Sequence, residues 1–381
     1  MKKLTIAIST ILATGFSAQA LAVDNTSTVN LSGVASTATV VQLSAGDSSG
    51  NMSNVQVNSG FSNHANVFQA GTKSDSDVMI TGGAFNDANV VQGALGADNS
   101  ATVSTTGSYA TNSSINQGAA AFDGILSLTS SSNTAGISTT NSSFVNSTIN
   151  QGSLASTGLL SLAISSNSAD ISTSNSTVVN ATINQGSVAS SGAFDANVSA
   201  NSATISTMNS AFVTSTINQN NVNDGSSNSA YIGVSDSGGI TSTVNQDGSM
   251  NTGNIVVTNS GGVGASIDQN GDMNSAGINA HDAYFSSASV DQLGDGNEGY
   301  IDTSGVFNTT SIDQFGDNNF AGSTTSGWGN QSSTTQVGDG HVAYTTMSGV
   351  GNQSTTLQLG NDNASYTTVA GWGNTANVFQ N

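Results

Sequence analysis

The chain has 381 residues, with 44 Gly, no Pro, no Cys, 7% charged residues and a formal net charge of −20. Soluble domains ordinarily carry about 25% charged residues, and the lack of Cys excludes disulfides, thiolate nucleophiles and Cys-ligated metals. There is no Arg, and the only Lys residues are Lys2, Lys3 and Lys73, so too few cations exist to neutralise a nucleic-acid backbone.

In chain order, residues 1–22 come first. The basic start Met1-Lys2-Lys3, the mostly apolar run Leu4 to Phe16, and the small-x-small sites Ala18-Gln19-Ala20 and Ala20-Leu21-Ala22 predict a cleaved secretory signal peptide. Its removal leaves one Lys against 23 acidic residues, a net charge of −22, and all of those acids except Glu298 are Asp. No later segment is long and apolar enough to span a bilayer. The polar, uncharged composition is compatible with disorder, but the apolar residues are placed periodically and Pro is absent.

That periodicity is an internal repeat with three regimes. Residues 23–110 hold irregular copies marked by Gln42, Gln69 and Gln92. Residues 111–220 hold units 34 residues long, marked by Gln117, Gln151, Gln185 and Gln219. Residues 221–381 hold units of 22–23 residues, marked by Gln246, Gln269, Gln292, Gln314, Gln336, Gln358 and Gln380. Two positions before every one of these Gln residues stands a β-branched residue, as in Val290 and Ile312, and four before stands Ala, Ser or Thr. A spacing of two puts all three on one face of a strand. A helix would need spacings of three and four.

Turn signals follow each strand. Gly294, Gly316, Gly338 and Gly360 stand two residues after their Gln, and Asn297, Asn319, His341 and Asn363 five after. Gly tolerates positive φ and Asx side chains bond nearby backbone. A second turn recurs half a unit later, at Gly305–Asn308 and Gly327–Asn330. Each short unit therefore reads as strand, turn, strand, turn. The first strand of such a unit puts Asn319, Ala321, Ser323 and Thr325 on one face and Phe320 and Thr324 on the other. The 34-residue units, with Asn133, Asn167 and Asn201 sixteen residues after their Gln, suit either three-sided rungs or one and a half ordinary ones.

A two-strand unit cannot bury enough surface by itself, so copies must stack. The expected fold is all-β: a β-solenoid with cross-β-like parallel ladders, in which each inward Gln donates to the amide on one side and accepts from the other. Such a ladder serves either the core of a closed monomeric coil or a coil that other copies extend. The strand pattern runs on to Gln380 with no capping element after it, which favours the second.

At this point the residues resemble the curlin repeat, Ser-x5-Gln-x-Gly-x-Gly-Asn-x-Ala. Ser286-x5-Gln292-x-Gly294-x-Gly296-Asn297 follows it, with Gly299 in the Ala position. Asn308-x5-Gln314-x-Gly316-x-Asn318-Asn319-x-Ala321 and Asn330-x5-Gln336-x-Gly338-x-Gly340-His341-x-Ala343 follow with substitutions. The resemblance is clear over about 240–381, partial at 36–95 and skeletal between. It implies a secreted subunit of a curli-like amyloid fibre (fimbrium- or pilus-like) at the surface of a Gram-negative bacterium. Such a fibre serves cell adhesion and biofilm matrix by homopolymerisation. It further implies a nucleator subunit, an outer-membrane export pore and a periplasmic chaperone as partners. The chain departs from the family where a second inward Gln is expected, carrying Thr303, Thr325, Met347 and Val369 instead, and it is longer than a usual curlin.

The sequence gives no sign of an enzyme or a cofactor. His64, His281 and His341 are far apart, no Gly-x-Ser-x-Gly elbow sits between strand and helix, and the cations needed to hold an acidic sugar are missing. Asp272, Asp295, Asp317 and Asp339 share a turn position, and Asp268, Asp291 and Asp313 share the outward site before Gln. They read as a solvated face or, for the turn row, as weak Ca²⁺ candidates. On this reading, salt or Ca²⁺ speeds assembly. Outward Phe315, Phe320, Tyr344 and Tyr366 are candidate lateral or surface contacts. Two alternative functions are a monomeric Ca²⁺-stabilised surface adhesin and, from the aligned Thr324, Thr346 and Thr368, an ice-binding solenoid.

Overall fold

The computed structural model describes residues 6–7, 16–21, 25–43, 50–70, 73–94, 97–122, 128–141, 143–157, 162–175, 177–191, 196–209, 211–221, 227–236 and 238–381. The predicted leader falls mostly outside them. Among the described residues there is no helix: the elements are strands, and they stack in parallel as a β-solenoid. The one antiparallel exception is a two-residue pairing of Ile6–Ala7 with Phe16–Leu21.

The chain divides into two compact units, Met1–Ala203 with Asn221–Ser226, and Thr204–Asn220 with Ser227–Asn381. In the first, Gln42, Gln69, Gln92, Gln117, Gln151 and Gln185 lie opposite one another on consecutive parallel strands of one sheet. In the second, the same register joins Gln219, Gln246, Gln269, Gln292, Gln314, Gln336, Gln358 and Gln380. A second sheet in each unit is made of the intervening strands, such as Ser275–Tyr284, Glu298–Val306 and Phe320–Trp328.

The alternation in the sequence is the cause of this arrangement. In Ser287–Leu293 the residues Ala288, Val290 and Gln292 are buried while Ser287, Asp291 and Leu293 are exposed. In Phe320–Trp328, Ala321, Ser323 and Thr325 are buried and Thr324 faces solvent. Val244, Ile267, Val290 and Ile312 form a fully covered apolar row, each contributing about 1.5–3 kcal/mol by leaving water. Small residues four positions before Gln let the two sheets approach closely, and no Pro interrupts the pairing.

At one corner the coil turns through Gly294, Gly316 and Gly338, with φ of 119°, 119° and 123°. A Cβ on Gly316 would run into the carbonyl of Gly338 in the next coil. The position therefore demands glycine for two separate reasons, backbone conformation and close approach.

The 34-residue units are neither three-sided nor one and a half ordinary rungs. Each forms a single two-strand coil with long strands: Leu128–Thr140 is 13 residues and Ser143–Thr157 is 15, against 7 for Ser287–Leu293. Both pair with their counterparts 34 residues on without a register shift. The added residues widen the coil instead of adding a side.

Candidate functional site: the glutamine ladder

Glutamine reaches farther than asparagine, and the core is thin because its other inward residues are small or β-branched. An inward Gln carboxamide therefore meets two kinds of neighbour: the amide in the adjacent coil and the backbone of the facing sheet. In the first unit, Nε2 of Gln42 donates to Oε1 of Gln69 at 2.8 Å, and the chain continues through Gln92 (2.8 Å), Gln117 (2.8 Å), Gln151 (2.9 Å) and Gln185 (2.9 Å). In the second, Gln219 donates to Gln246 (2.8 Å), then the ladder passes to Gln269 (2.8 Å), Gln292 (2.9 Å), Gln314 (2.8 Å), Gln336 (2.9 Å), Gln358 (2.8 Å) and Gln380 (2.7 Å). All are buried except the half-exposed Gln380. The bonds all point the same way along the chain.

The second amide hydrogen has a use that sequence reasoning missed. Gln292, Gln314, Gln336 and Gln358 also donate to the backbone carbonyls of Ser275, Glu298, Phe320 and Val342, at 2.9–3.1 Å, across the core. Each Gln thus ties coil to coil and sheet to sheet. The only trace of this in the sequence is the constancy of Gln where Asn or Ser would also have continued a polar row.

The corner residues form ladders of their own. Asn297 and Asn319 donate through Nδ2 to the carbonyls of Gly316 and Gly338, both at 2.7 Å, and the Asn319 amide N–H donates to Oδ1 of Asn297 at 3.0 Å. Asn363 donates to its own turn at Leu359 O, 2.7 Å. So Asn297 and Asn319 reach into neighbouring coils, beyond the local turn bonding expected of Asx. His341 replaces Asn in this row. Its ring bridges Val337 O (3.1 Å, through Nε2) and the N–H of Asn363 (3.2 Å, through Nδ1), which requires the neutral tautomer with its proton on Nε2.

The turn aspartates prove to be structural acceptors. Oδ1 of Asp272, Asp295, Asp317 and Asp339 accepts the backbone N–H of Ser249, Asp272, Asp295 and Asp317 respectively, at 2.8–2.9 Å. Each carboxylate thereby holds the preceding turn. Among the described residues no group of three or more His, Asp or Glu is placed to hold a metal ion. The outward Asp268, Asp291 and Asp313 lie in register on adjacent strands. Partial burial raises all three carboxyl pKa values above the ordinary Asp range, and the neighbouring carboxylate raises those of Asp268 and Asp291 further.

Of the outward aromatics, Phe320, Tyr344 and Tyr366 are brought together, with ring centroids 4.9 and 5.4 Å apart. Phe315 lies on the other sheet. Tyr300, which the sequence did not single out, joins the row beside Phe320 at 6.1 Å.

No protein-family model matches the chain, and no curated protein matches it.

Proposed function

We propose that this chain is a secreted structural subunit of a curli-like extracellular amyloid fibre, acting in cell adhesion and biofilm matrix through end-to-end stacking of its β-solenoid. The observation that supports this reading best is the amide ladder. Every rung repeats one donor and one acceptor in register, so a rung from another copy would meet the same chemistry as a rung of the same chain. An unpaired buried amide costs about 1–3 kcal/mol, against a net gain of about 0.5–1.5 kcal/mol when bonded, and that asymmetry favours extension over exposure. The curlin-like repeats give the reading its biological setting, with a nucleator, an export pore and a chaperone as the implied partners.

The calcium-stabilised adhesin is the weaker reading, because the turn carboxylates are already engaged by backbone N–H groups. To test the fibre reading, the chain lacking residues 1–22 is incubated and imaged by electron microscopy. Filaments with a parallel-β spectrum are expected. A chain that stays monomeric at every concentration, pH and ionic strength tried would overturn the proposal.

A further inference from the structure

The second unit carries an open groove of about 550 Å³ on the outer face of its intervening sheet, within the size range of small-ligand sites. Its walls are the rings of Tyr300, Phe320 and Tyr344. Along one outward column the residues in register are Gly277, Tyr300, Gly322, Tyr344 and Tyr366. Tyr300 leans over Gly277 and Tyr344 over Gly322, where an added Cβ would come within 3.0 and 3.2 Å of the ring. Tyr300, Phe320 and Tyr344 therefore place a ring on each of three successive coils across the groove, and the glycines leave room for the tyrosines to lie down. The adjoining column runs Asn279, Asp302, Thr324 and Thr346, a line of hydrogen-bonding groups spaced by one strand.

From this arrangement we infer that the groove is a binding site for a neutral, extended β-linked polysaccharide lying along the coil axis. Three features of the site select that ligand class. Coils repeat about every 4.8 Å, close to the advance per sugar of an extended β-linked hexose chain. Such a chain offers an apolar C–H face on each sugar, which matches the coil-by-coil spacing of Tyr300, Phe320 and Tyr344. The apolar C–H faces of the sugars pack on the rings, while hydroxyls meet the amide, carboxylate and hydroxyl column. Charge narrows the class further: Glu298 and Asp302 flank the rings, and the only lysine after residue 3 is Lys73, in the other unit. An acidic polymer would be repelled. The groove is open and lies within one unit, so the inference does not depend on fibre formation.

The test is affinity electrophoresis of the unassembled full chain through gels containing hydroxyethyl cellulose, soluble starch or alginate. Retardation is expected in the β-linked glucan alone. Tyr344→Ala should weaken it about two- to tenfold, the scale of one aromatic contact, while Tyr344→Phe should retain it. Phe85→Ala, in the other unit, should leave it unchanged. A titration of the wild-type chain with cello-oligosaccharides, read by intrinsic fluorescence, needs no variant and should saturate. Absence of retardation and of saturation, equal retardation in starch or alginate, or a Tyr344→Ala chain that migrates like the wild type would each overturn the inference.

Discussion

Gln314 occupies the middle of its ladder, accepting from Gln292 and donating to Gln336 and to the carbonyl of Glu298. Gln314→Glu keeps the shape and removes both donors, leaving Oε1 of Gln336 without the amide that pairs it and adding a buried charge. At neutral pH it should destabilise the unit by about 3 kcal/mol or more, measured by denaturant unfolding, with partial recovery in acid as the carboxyl regains a proton. The outward aspartates give a second prediction. Because Asp268, Asp291 and Asp313 have raised pKa values in the folded chain, the folded state binds their protons more tightly than the unfolded state. The resulting stability is fully present below the ordinary Asp value of about 3.9 and is lost as pH rises through the raised values. Thermal unfolding should therefore shift upward between pH 7 and pH 4. Asp291→Asn should raise the midpoint at pH 7 and flatten this dependence, whereas an unchanged slope would contradict the assignment.

At the scale of the element, the corners separate conformational cost from steric cost. Gly316 has φ of 119° with the Gly338 carbonyl in the path of a Cβ, while Gly329 has φ of 66° with open space around it. Gly329→Ala should cost about 1–2 kcal/mol for its left-handed backbone. Gly316→Ala should cost clearly more, read from urea midpoints of the two variants. The strands themselves were legible because Ala288, Val290 and Gln292 carry independent signals at a spacing of two. The ladder residues could be picked out for the same reason, since Gln stands at one position of every copy. What escaped the sequence depends on contacts between coils. The width of the 34-residue coils follows from pairing along their whole length, and residues 128–140 and 143–157 show no periodicity that separates a longer strand from an extra one. The cross-core bond of Gln314 to Glu298 O and the meeting of Tyr300 with Phe320 likewise depend on how separate strands face each other. No single strand contains that information.

For the molecule as a whole, charge opposes association and hydrogen bonding favours it. With residues 1–22 removed the chain carries 23 acidic residues and one Lys, so copies repel at low ionic strength, and the repulsion fades as the Debye length falls to about 8 Å near physiological salt. Raising ionic strength should shorten the lag of fibre assembly followed by thioflavin fluorescence; a lag that stays flat from low to high salt would contradict this. The most direct measurement compares seeded elongation by the wild-type chain with that by Gln42→Leu/Gln380→Leu, whose substitutions lie on the first and last rungs of the described ladder, each added to wild-type fibre ends. If in-register amides are what join one coil to the next, the wild type elongates the seeds and the double variant, still folded by circular dichroism, elongates them several-fold more slowly. Equal elongation rates would contradict the account.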